Sequence, residues 1–402
     1  MATRRIGVII NGATGRMGTT QHMANLLAIA SEGGLPLRNG DRLVPELLLV
    51  GRDPERIAIL AEAHGGLRWT TSLDEALAGA DAIFMDCAAT GDRPARVRAA
   101  IEAGKHIHVE KPTAPSVEEA MALARAAAAK GLKHGVIQDK LFLPGFAKLL
   151  FVKNSGFFGR ILSIRVDAGS WVFDGTAQAG QRPSWNYRKA EGGGLALDMM
   201  AHWRYMIDRL AAPVTAVSAL MATAIPERVD ELGRRYAVDV EDTSHALLQL
   251  QGGAVGVITN TWATRVRRED TMMVQIDGTL GSATAGRTRC FTQAAVNTPE
   301  AFFGGGRPGG MDFMAQWQEV PDTMPVANPF RQCWEAFLRH VAEDAPYLPT
   351  LVEGAKAVQL AELAYQSVAE RRWVDVPELT LQSVIARGGI TRRRESRDKT
   401  RS

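Results

Sequence analysis

The sequence predicts a two-domain protein: an α/β N-terminal domain with a doubly wound parallel sheet, then an α+β C-terminal domain with a mostly antiparallel open sheet. Three observations predict this fold. The chain has 402 residues, more than one hydrophobic core usually takes. Up to about residue 139, short apolar runs alternate with helical patterns, which is typical of βαβ units. After Gln138 the apolar runs become longer, richer in β-branched and aromatic residues, and separated by glycine turns.

The N-terminal domain, residues 1–139, is predicted from elements that follow one another closely. Its predicted strands are Ile6–Ile10, Leu47–Val50, Ala82–Asp86, His106–Val109 and His134–Gln138. Its predicted helices are Pro54–His64, Arg93–Ala103 and Val117–Lys130, each followed by a glycine that suits a helix C-terminus. An insertion, Glu32 to Pro45, is expected to delay the second strand.

The second domain, residues 140–378, is predicted from β-type patterns and two closing helices. Its predicted strands are Ile161–Ala168, Val214–Ala222, His245–Leu250, Val255–Trp262 and Met272–Asp277, with a hairpin turn at Gly252-Gly253. Amphipathic patterns predict helices Pro329–Glu343 and Val352–Arg371. Residues 296–329, rich in glycine and proline, are expected to form a long loop or lid.

The composition excludes several classes of protein. No apolar run approaches the eighteen or so residues of a membrane-spanning helix, so no membrane partner is expected. The first apolar run, Ile6–Ile10, is too short for a signal peptide and is interpreted as a strand. The three cysteines, Cys87, Cys290 and Cys333, are too few and scattered for a disulfide framework or a metal cluster. We therefore expect a cytoplasmic protein with no metal site.

The net charge of +3 is concentrated in the last residues of the chain. Residues 387–402 carry seven basic and two acidic side chains, a difference of +5, which leaves the rest of the chain near −2. Basic residues in an aromatic-free terminus are typical of a solvated tail. We expect residues 379–402 to form a flexible basic tail, and we expect no nucleic-acid partner.

A glycine loop directly follows the first predicted strand and precedes a helix that begins near Met17. Glycines allow backbone amides to approach a pyrophosphate, and the helix N-terminus adds partial positive charge. The alternative is a glycine-rich turn without a ligand, but the strand and helix on either side favour a dinucleotide site. The candidate cofactor contacts in this loop are Gly12, Thr14, Gly15, Arg16, Met17 and Gly18.

The end of the second predicted strand indicates which cofactor binds. Dinucleotide-binding domains that prefer NAD usually place an acidic residue here for the ribose 2′-hydroxyl. This chain has Gly51 at that place, and Arg52 follows. A guanidinium suits a 2′-phosphate, so NADP is slightly favoured over NAD. Alternatively, Arg52 stacks on adenine, which either cofactor allows.

Two further segments supply groups suited to proton transfer. Glu110-Lys111-Pro112 ends the strand His106–Val109, where open α/β sheets bind ligands, so Glu110 and Lys111 are candidate cofactor contacts. Asp198 and His202 lie four residues apart on one face of a predicted helix that follows a triple glycine. Histidine is suited to accept a hydroxyl proton during hydride removal. The alternative for Lys111 is an ordinary surface lysine, and the alternative for Asp198 and His202 is a structural pair that ties a helix to the sheet.

With these motifs together, the chain resembles the Gfo/Idh/MocA oxidoreductases, named for glucose-fructose oxidoreductase and inositol dehydrogenase. The resemblance covers roughly residues 5 to 378. It rests on the glycine loop, on 103–112, on the triple glycine before Asp198 and His202, on 276–281 and on 361–367. It implies a catalytic set of Lys111, Asp198 and His202. In that set His202 accepts the proton, Lys111 shares it, and Asp198 orients the substrate and the histidine.

The resemblance also implies a contact near the nicotinamide, and the residues themselves indicate contacts with the substrate. Family members have a conserved turn beside the nicotinamide after the strand that corresponds to Ala82–Asp86. Of that turn, this chain has only Thr90, which is the candidate contact there. Aromatic and polar residues before the triple glycine suit a pyranose, and the candidate substrate contacts are Trp171, Trp185, Tyr187 and Arg188. Each single aromatic residue has core packing as its alternative. Arg182 and Arg188 leave an acidic sugar, a sulfonate or a phosphate open.

The predicted function is NAD(P)-dependent hydride transfer to or from a secondary hydroxyl or ketone of a sugar or cyclitol. One alternative keeps the site but uses transient oxidation to cleave a glycosidic bond. Another is a non-catalytic sensor on the same fold, which the joint presence of Lys111, Asp198 and His202 disfavours. The resemblance implies a homodimer or homotetramer built through an exposed face of the second sheet.

Overall fold

The structure, a computed structural model, describes residues 2–172, 182–299, 312–322 and 327–383. Two large β-sheets organise these residues, one from each half of the chain. The strands of the first sheet are β1 (Thr3–Asn11), β2 (Leu35–Pro36), β3 (Arg42–Val50), β4 (Arg68–Thr70), β5 (Ile83–Asp86), β6 (His106–Val109) and β7 (His134–Val136).

The first sheet is doubly wound, as predicted. Its strand order is β2–β3–β1–β5–β6–β7, and β4 also pairs with β3. The pairings are parallel except that between β2 and β3. Because β3 lies on one side of β1 and β5 on the other, a crevice forms beyond the carboxyl ends of β1 and β5. This crevice is where such sheets bind ligands.

Helices connect the strands of this sheet, and most begin where the sequence provides a cap. They are α1 (Ala24–Ser31), α2 (Pro54–Ala63), α3 (Leu73–Ala78), α4 (Arg93–Glu102) and α5 (Val117–Ala129). Asp53, Ser72 and Ser116 accept backbone N–H bonds at the starts of α2, α3 and α5. One turn of π-helix, Gly18–Met23, joins the glycine loop to α1.

The predicted insertion between Glu32 and Pro45 is shorter in the structure, because its last residues belong to β3. β2 pairs antiparallel with the start of β3, and β3 begins at Arg42 instead of Leu47. Its first residues pair in parallel with the start of β1. In 42–46, buried and half-buried side chains alternate in the structure. The sequence does not show this alternation, because the segment begins and ends with a charged residue and contains a proline, which is unfavourable inside a strand.

The second sheet is mostly antiparallel and follows the order β17–β16–β15–β14–β8–β13–β12–β9–β18. A separate hairpin is formed by β10 (Glu227–Val229) and β11 (Arg235–Ala237). The sheet strands are β8 (Ile161–Gly169), β9 (Val214–Ala222), β12 (Thr243–Leu250), β13 (Val255–Thr261), β14 (Met272–Gly278), β15 (Gly281–Ala285), β16 (Cys290–Ala294), β17 (Gln318–Glu319) and β18 (Val374–Asp375). Gly252 and Gly253 have φ of +83° and +87°, which explains the predicted glycine turn between β12 and β13.

Helices cover one face of this sheet and bury the core of the second domain. They are α6 (Pro144–Asn154), α7 (Leu195–Leu210) and α9 (Leu351–Glu370). Trp203 and Met206 of α7 pack with Ile164 and Val166 of β8 and with Leu360 of α9. Because α7 rests on this sheet, the positions of Asp198 and His202 follow from the packing of the whole domain.

Helix α8 (Pro329–Glu343) returns to the N-terminal sheet, although the sequence pattern groups it with the second domain. Its buried side chains Cys333, Trp334, Phe337 and Leu338 share one hydrophobic cluster with Val8 of β1. A salt bridge from Arg331 to Glu32 and a bond between Asn25 and Asn328 add polar contacts. The final segment therefore links both domains.

Parts of two predicted segments lie outside the described residues. In the predicted loop 296–329, strand β17 pairs with β16, while residues 300–311 and 323–326 are not described. In the predicted basic tail, residues 384–402 are likewise outside the described part of the chain. Among the residues that are described, no helix combines the length and apolarity needed to cross a bilayer.

Candidate active site

The glycine loop lies at the carboxyl end of β1, at the crevice of the first sheet. The N–H of Gly12 donates to the carbonyl of Val50 (3.0 Å), and the N–H of Gly15 donates to the carbonyl of Gly12 (3.0 Å). A Cβ on Gly18 would lie 2.5 Å from the Gly12 oxygen, and one on Gly12 would lie 2.8 Å from the Ala88 nitrogen. This tight loop requires glycine and leads into a helical turn, so it fits a dinucleotide pyrophosphate. Gly15 and Arg16 are exposed there, and Thr14 and Met17 are half-buried.

Arg52 lies exposed just beyond β3, without an ion pair to any residue in the described ranges. A Cβ at Gly51 would lie 2.8 Å from Cδ1 of Ile57, so an acidic residue there would require the Ile57 side chain to shift. Oδ1 of Asp53 accepts the N–H bonds of Glu55 and Arg56 and so caps α2 (both 3.1 Å). The Arg52 guanidinium and the second oxygen of Asp53 are therefore the polar groups just beyond β3 that remain available to a ligand within the described residues.

A buried arginine joins the segments that end β5 and β6. Nε of Arg93, 2% exposed, donates to Asp86 Oδ2 (2.8 Å), and its Nη atoms donate to the carbonyls of Ala88 (2.7 Å), Glu110 (3.0 Å) and Pro112. Asp86 is fully buried and also binds Arg96 and Asn11. Burial opposes the charge on Asp86, but the arginines outweigh it and keep its pKa below the usual value.

Glu110 is buried and belongs to the support of the crevice. Its Oε1 bonds to Nε2 of His22 in the π-helical turn (3.0 Å), and its Oε2 accepts the N–H of Lys111 (3.1 Å). Nδ1 of His22 accepts from the indole N–H of Trp334 in α8 (3.2 Å). Glu110 therefore connects the glycine-loop helix to Lys111, and its contact with a cofactor stays a prediction. Thr90, half-buried after β5, accepts the N–H of Arg93 with its carbonyl (3.1 Å).

Lys111 and Asp198 meet across the two domains. Nζ of Lys111 donates to Oδ1 of Asp198 (2.5 Å) and to its carbonyl (3.1 Å). The other oxygen, Oδ2, accepts from Nη1 of Arg182 (2.8 Å), whose guanidinium stacks 4.3 Å from the ring of Trp262. Burial opposes the charge on Asp198, but Lys111 and Arg182 outweigh it and lower its pKa to about 2. Asp198 is therefore an anion at neutral pH, held between two cations.

His202 is buried one turn after Asp198 and bonds to other residues. Its Nδ1 lies 3.3 Å from the hydroxyl of Tyr205 and 3.8 Å from Oδ1 of Asp139. Nε2 has no hydrogen-bond partner within the described residues. Burial, followed by the charges of Lys140, Lys111 and Arg182, lowers the pKa of His202 well below its usual value. A neutral imidazole with a free Nε2 is suited to accept a proton.

The predicted orientation of His202 by Asp198 is not seen in the structure. Both residues lie in α7, as the sequence predicts, but the carboxylate of Asp198 is committed to Lys111 and Arg182. The carboxylate beside the imidazole belongs to Asp139, just after β7. Sequence reasoning did not single out Asp139, because nothing near it forms a motif, and its contact with His202 spans 63 residues.

Of the four predicted substrate contacts, the two tryptophans remain at least partly exposed, whereas Tyr187 and Arg188 are engaged by other residues of the protein. Trp185 is exposed, and Trp171 is half-buried with Arg265 stacked 4.0 Å from its ring. Tyr187 is only 1% exposed and packs against Trp262 and Arg228, which assigns it to the core of the second domain. Arg188 pairs with Glu191 (3.2 Å) and Asp230 (3.9 Å). The residues between the two tryptophans, 173–181, lie outside the described chain.

Two protein-family models match consecutive parts of the chain. One, described as the oxidoreductase family with an NAD-binding Rossmann fold, matches residues 6–138. The other, described as the GFO/IDH/MocA C-terminal domain, matches residues 147–284. Together the two models cover nearly all of the first sheet and the second sheet up to β15, and they follow the order of the two domains described above.

Characterised relatives match nearly the full length of the chain. D-xylose dehydrogenase from Paenarthrobacter nicotinovorans is 44% identical over 385 residues, which cover 94% of this chain and 99% of the relative. Levoglucosan dehydrogenase from Pseudarthrobacter phenanthrenivorans is 27% identical over 406 residues, or 94% and 100% of the two chains. A solved structure of levoglucosan dehydrogenase in complex with NADH matches with a TM-score of 0.78 at 24% identity, covering 94% of this chain and 100% of that one. This likeness confirms the predicted fold.

Proposed function

This chain belongs to the GFO/IDH/MocA family of oxidoreductases, and we propose that it oxidises a neutral pyranose such as D-xylose. It is a nicotinamide-dependent sugar oxidoreductase, as the motifs predict. The observation that carries the proposal is the site where Lys111, Asp198 and a neutral His202 converge beside the crevice of the first sheet. The 44% identity to a D-xylose dehydrogenase supports the choice of sugar.

Charge pairing favours a neutral sugar over an acidic one. Of the two arginines that left an anionic substrate open, Arg182 is bound by Asp198 and Arg188 by Glu191 and Asp230. A carboxylate or phosphate on the substrate would have to compete with these carboxylates. A sugar hydroxyl needs no unpaired cation, since it bonds to the charged groups as they stand.

The residues of the chain divide the work of the reaction. The glycine loop, Thr90 and Arg52 would hold the cofactor, which accepts a hydride from the hydroxyl-bearing carbon when it is bound. Nε2 of His202 accepts the proton of that hydroxyl, and Nζ of Lys111 donates a hydrogen bond to the same oxygen. Asp198 holds the ammonium of Lys111 in place through two bonds. Loss of a hydride and a proton leaves the carbonyl product.

A panel of sugars tests the proposed function. With saturating NAD or NADP, we expect D-xylose to reduce the cofactor with kcat/KM roughly 10²-fold or more above D-xylonate, because an anionic substrate must displace paired carboxylates. The measurement is the initial rate of nicotinamide reduction for neutral aldoses, sugar acids and cyclitols. A preference for a sugar acid, or turnover of a glycoside without net nicotinamide reduction, would contradict the proposal.

The adenosine end of the site decides between the two nucleotides. We propose that Arg52 binds the 2′-phosphate of NADP, because its guanidinium has no partner among the described side chains. Arg52→Ala is expected to raise the KM for NADP roughly tenfold and to leave that for NAD within about twofold. The matched control is Asp53→Asn, which keeps the cap of α2. If Asp53→Asn instead weakens NAD and Arg52→Ala changes neither KM, the site is built for a 2′-hydroxyl.

We also propose that the open face of the second sheet forms the contact of a homodimer or homotetramer in the cytoplasm. Leu220, Leu247 and Val255 lie on this face in β9, β12 and β13 and are 68%, 52% and 53% exposed. An apolar sheet face of this kind is typical of a protein interface. Sedimentation equilibrium of the purified protein measures the assembly.

A further inference from the structure

The far side of His202 is built from residues that the proposed reaction has not yet used. Nδ1 faces away from the lone pair that receives the proton, and it meets the hydroxyl of Tyr205 at 3.3 Å and Oδ1 of Asp139 at 3.8 Å. Asp139 is 4% exposed and Tyr205 is 2% exposed. A buried carboxylate costs free energy unless its charge is matched. Lys140 matches the charge of Asp139 at Oδ2, and Oδ1 is the oxygen that lies near Nδ1 of His202.

Asp139, Lys140, Tyr205 and His202 form one connected unit. Oδ2 of Asp139 accepts a bond from Nζ of Lys140 (2.7 Å). The backbone N–H of Lys140 donates to the hydroxyl oxygen of Tyr205 (3.0 Å). The segment after β7 therefore fixes both groups that face Nδ1, while α7 supplies the tyrosine and the histidine.

We infer that Asp139 and Tyr205 are positioning residues that keep the proton of neutral His202 on Nδ1, so that Nε2 carries the free lone pair. This inference deepens the proposed function, on which it rests for the reaction it serves. A neutral imidazole carries its proton on one nitrogen. In the form that we infer, Nδ1–H donates to the hydroxyl oxygen of Tyr205, which also accepts the backbone N–H of Lys140. A carboxylate at Nδ1 favours an N–H there over a lone pair, because the N–H dipole then points at the negative charge.

The same carboxylate stabilises the charge that forms during the reaction. When the substrate hydroxyl gives its proton to Nε2, the imidazole becomes an imidazolium with protons on both nitrogens. The electron pair of the C–H bond leaves as the hydride to the nicotinamide. Lys140, Lys111 and Arg182 oppose the new positive charge, whereas Asp139 lies at ion-pair distance from Nδ1 and favours it. Asp198, on the same helix, is bound to Lys111 and Arg182.

Asp139→Asn tests the role of the carboxylate. Asparagine keeps the size of the side chain and removes its charge. We expect kcat for sugar oxidation to fall roughly 10²-fold with the KM for sugar changed less than about threefold, because the histidine loses its orientation but the substrate contacts stay. We also expect the acid limb of the pH profile to move to lower pH, since the imidazolium loses a neighbouring anion. A kcat and pH profile like those of the wild type would overturn the inference.

The nitrogen NMR spectrum of the histidine rings tests the inference without any turnover. Protein labelled with ¹⁵N at histidine is compared with the same protein carrying His202→Gln, which identifies the His202 signals. We expect the shifts of a ring protonated at Nδ1 in the wild type and a changed ratio of the two forms in Asp139→Asn. A ring protonated at Nε2 in the wild type would refute the inference even if a sugar is oxidised. Conversely, a protein that oxidises no sugar but shows the Nδ1 form contradicts the proposed function alone.

Two further variants separate positioning from general stability. Tyr205→Phe removes the hydroxyl and is expected to lower kcat roughly tenfold, because one of the two partners of Nδ1 is lost. Asp208→Asn is the matched control, because it breaks a pair with Arg204 on the same helix, away from His202. Its pH profile is expected to match the wild type. An equal shift in the control would assign the effect of Asp139→Asn to the stability of α7 and overturn the inference.

Discussion

Replacing His202 with glutamine is expected to lower kcat for sugar oxidation roughly 10²- to 10⁴-fold, because the site loses its proton acceptor. Glutamine keeps a polar side chain of similar length but has no basic nitrogen. Binding of the cofactor is expected to change less than about twofold, since the glycine loop and Arg52 do not contact His202. The measurements are steady-state kinetics and titration of the binding of the reduced cofactor. Full activity in this variant would exclude His202 as the acceptor.

The lowered pKa of His202 also sets two pH dependences. Because burial and three nearby cations keep the imidazole neutral, kcat is expected to stay flat as the pH falls through 6.5, the ordinary value for histidine, and to decline only below it. The unfolded chain takes up the proton first. The neutral histidine therefore contributes stability above the ordinary pKa, and this contribution is lost as the pH falls below it. Unfolding by urea between pH 7.5 and 5 is expected to depend less on pH in His202→Gln than in the wild type.

Replacing Arg93 with alanine is expected to lower the free energy of unfolding by about 3–5 kcal/mol, because it leaves a buried carboxylate short of a partner. The change also removes the donors of three carbonyls, those of Ala88, Glu110 and Pro112. These carbonyls belong to the two segments that line the crevice, so the affinity for cofactor is expected to fall roughly tenfold as well. Urea unfolding and cofactor titration measure the two effects.

Two variants serve as comparisons for Arg93. Arg93→Lys keeps the charge but not the planar fork, and it is expected to recover only part of the stability. Arg98→Ala changes an exposed arginine of the same helix and is expected to cost less than about 0.5 kcal/mol. A stability loss for Arg93→Ala no larger than that for Arg98→Ala would show that the cluster at Asp86 does not hold the two segments.

Local patterns were sufficient to predict most of the elements. The helices after Asp53 and Ser116 and the turn at Gly252-Gly253 follow from caps and glycines that act within a few residues. Prediction failed in 42–46, where β3 is formed by pairing with β1 and not by a pattern of its own. It also failed to place α8, whose apolar face is evident but whose partner, the N-terminal sheet, is some 300 residues away.

The same distinction applies to the site. The glycine loop, Lys111, Asp198 and His202 were all singled out from the sequence, and the family resemblance implied their roles. The partner of each side chain was not. Four residues of spacing place Asp198 and His202 on one face of α7, yet two cations from other elements bind the aspartate, and an aspartate from the end of β7 faces the histidine.

The sequence by itself predicted most of the elements in their order, the place of the glycine loop and the residues that we propose for proton transfer. These features follow from backbone hydrogen bonding and side-chain periodicity, which act over a few residues. Only the tertiary structure decided that Asp198 serves Lys111, that Asp139 and Tyr205 face His202, and that Arg93 joins the ends of β5 and β6. Those contacts depend on which buried charges come together when the two domains pack. The attraction between two charges depends on their separation in space, which their spacing along the chain does not give.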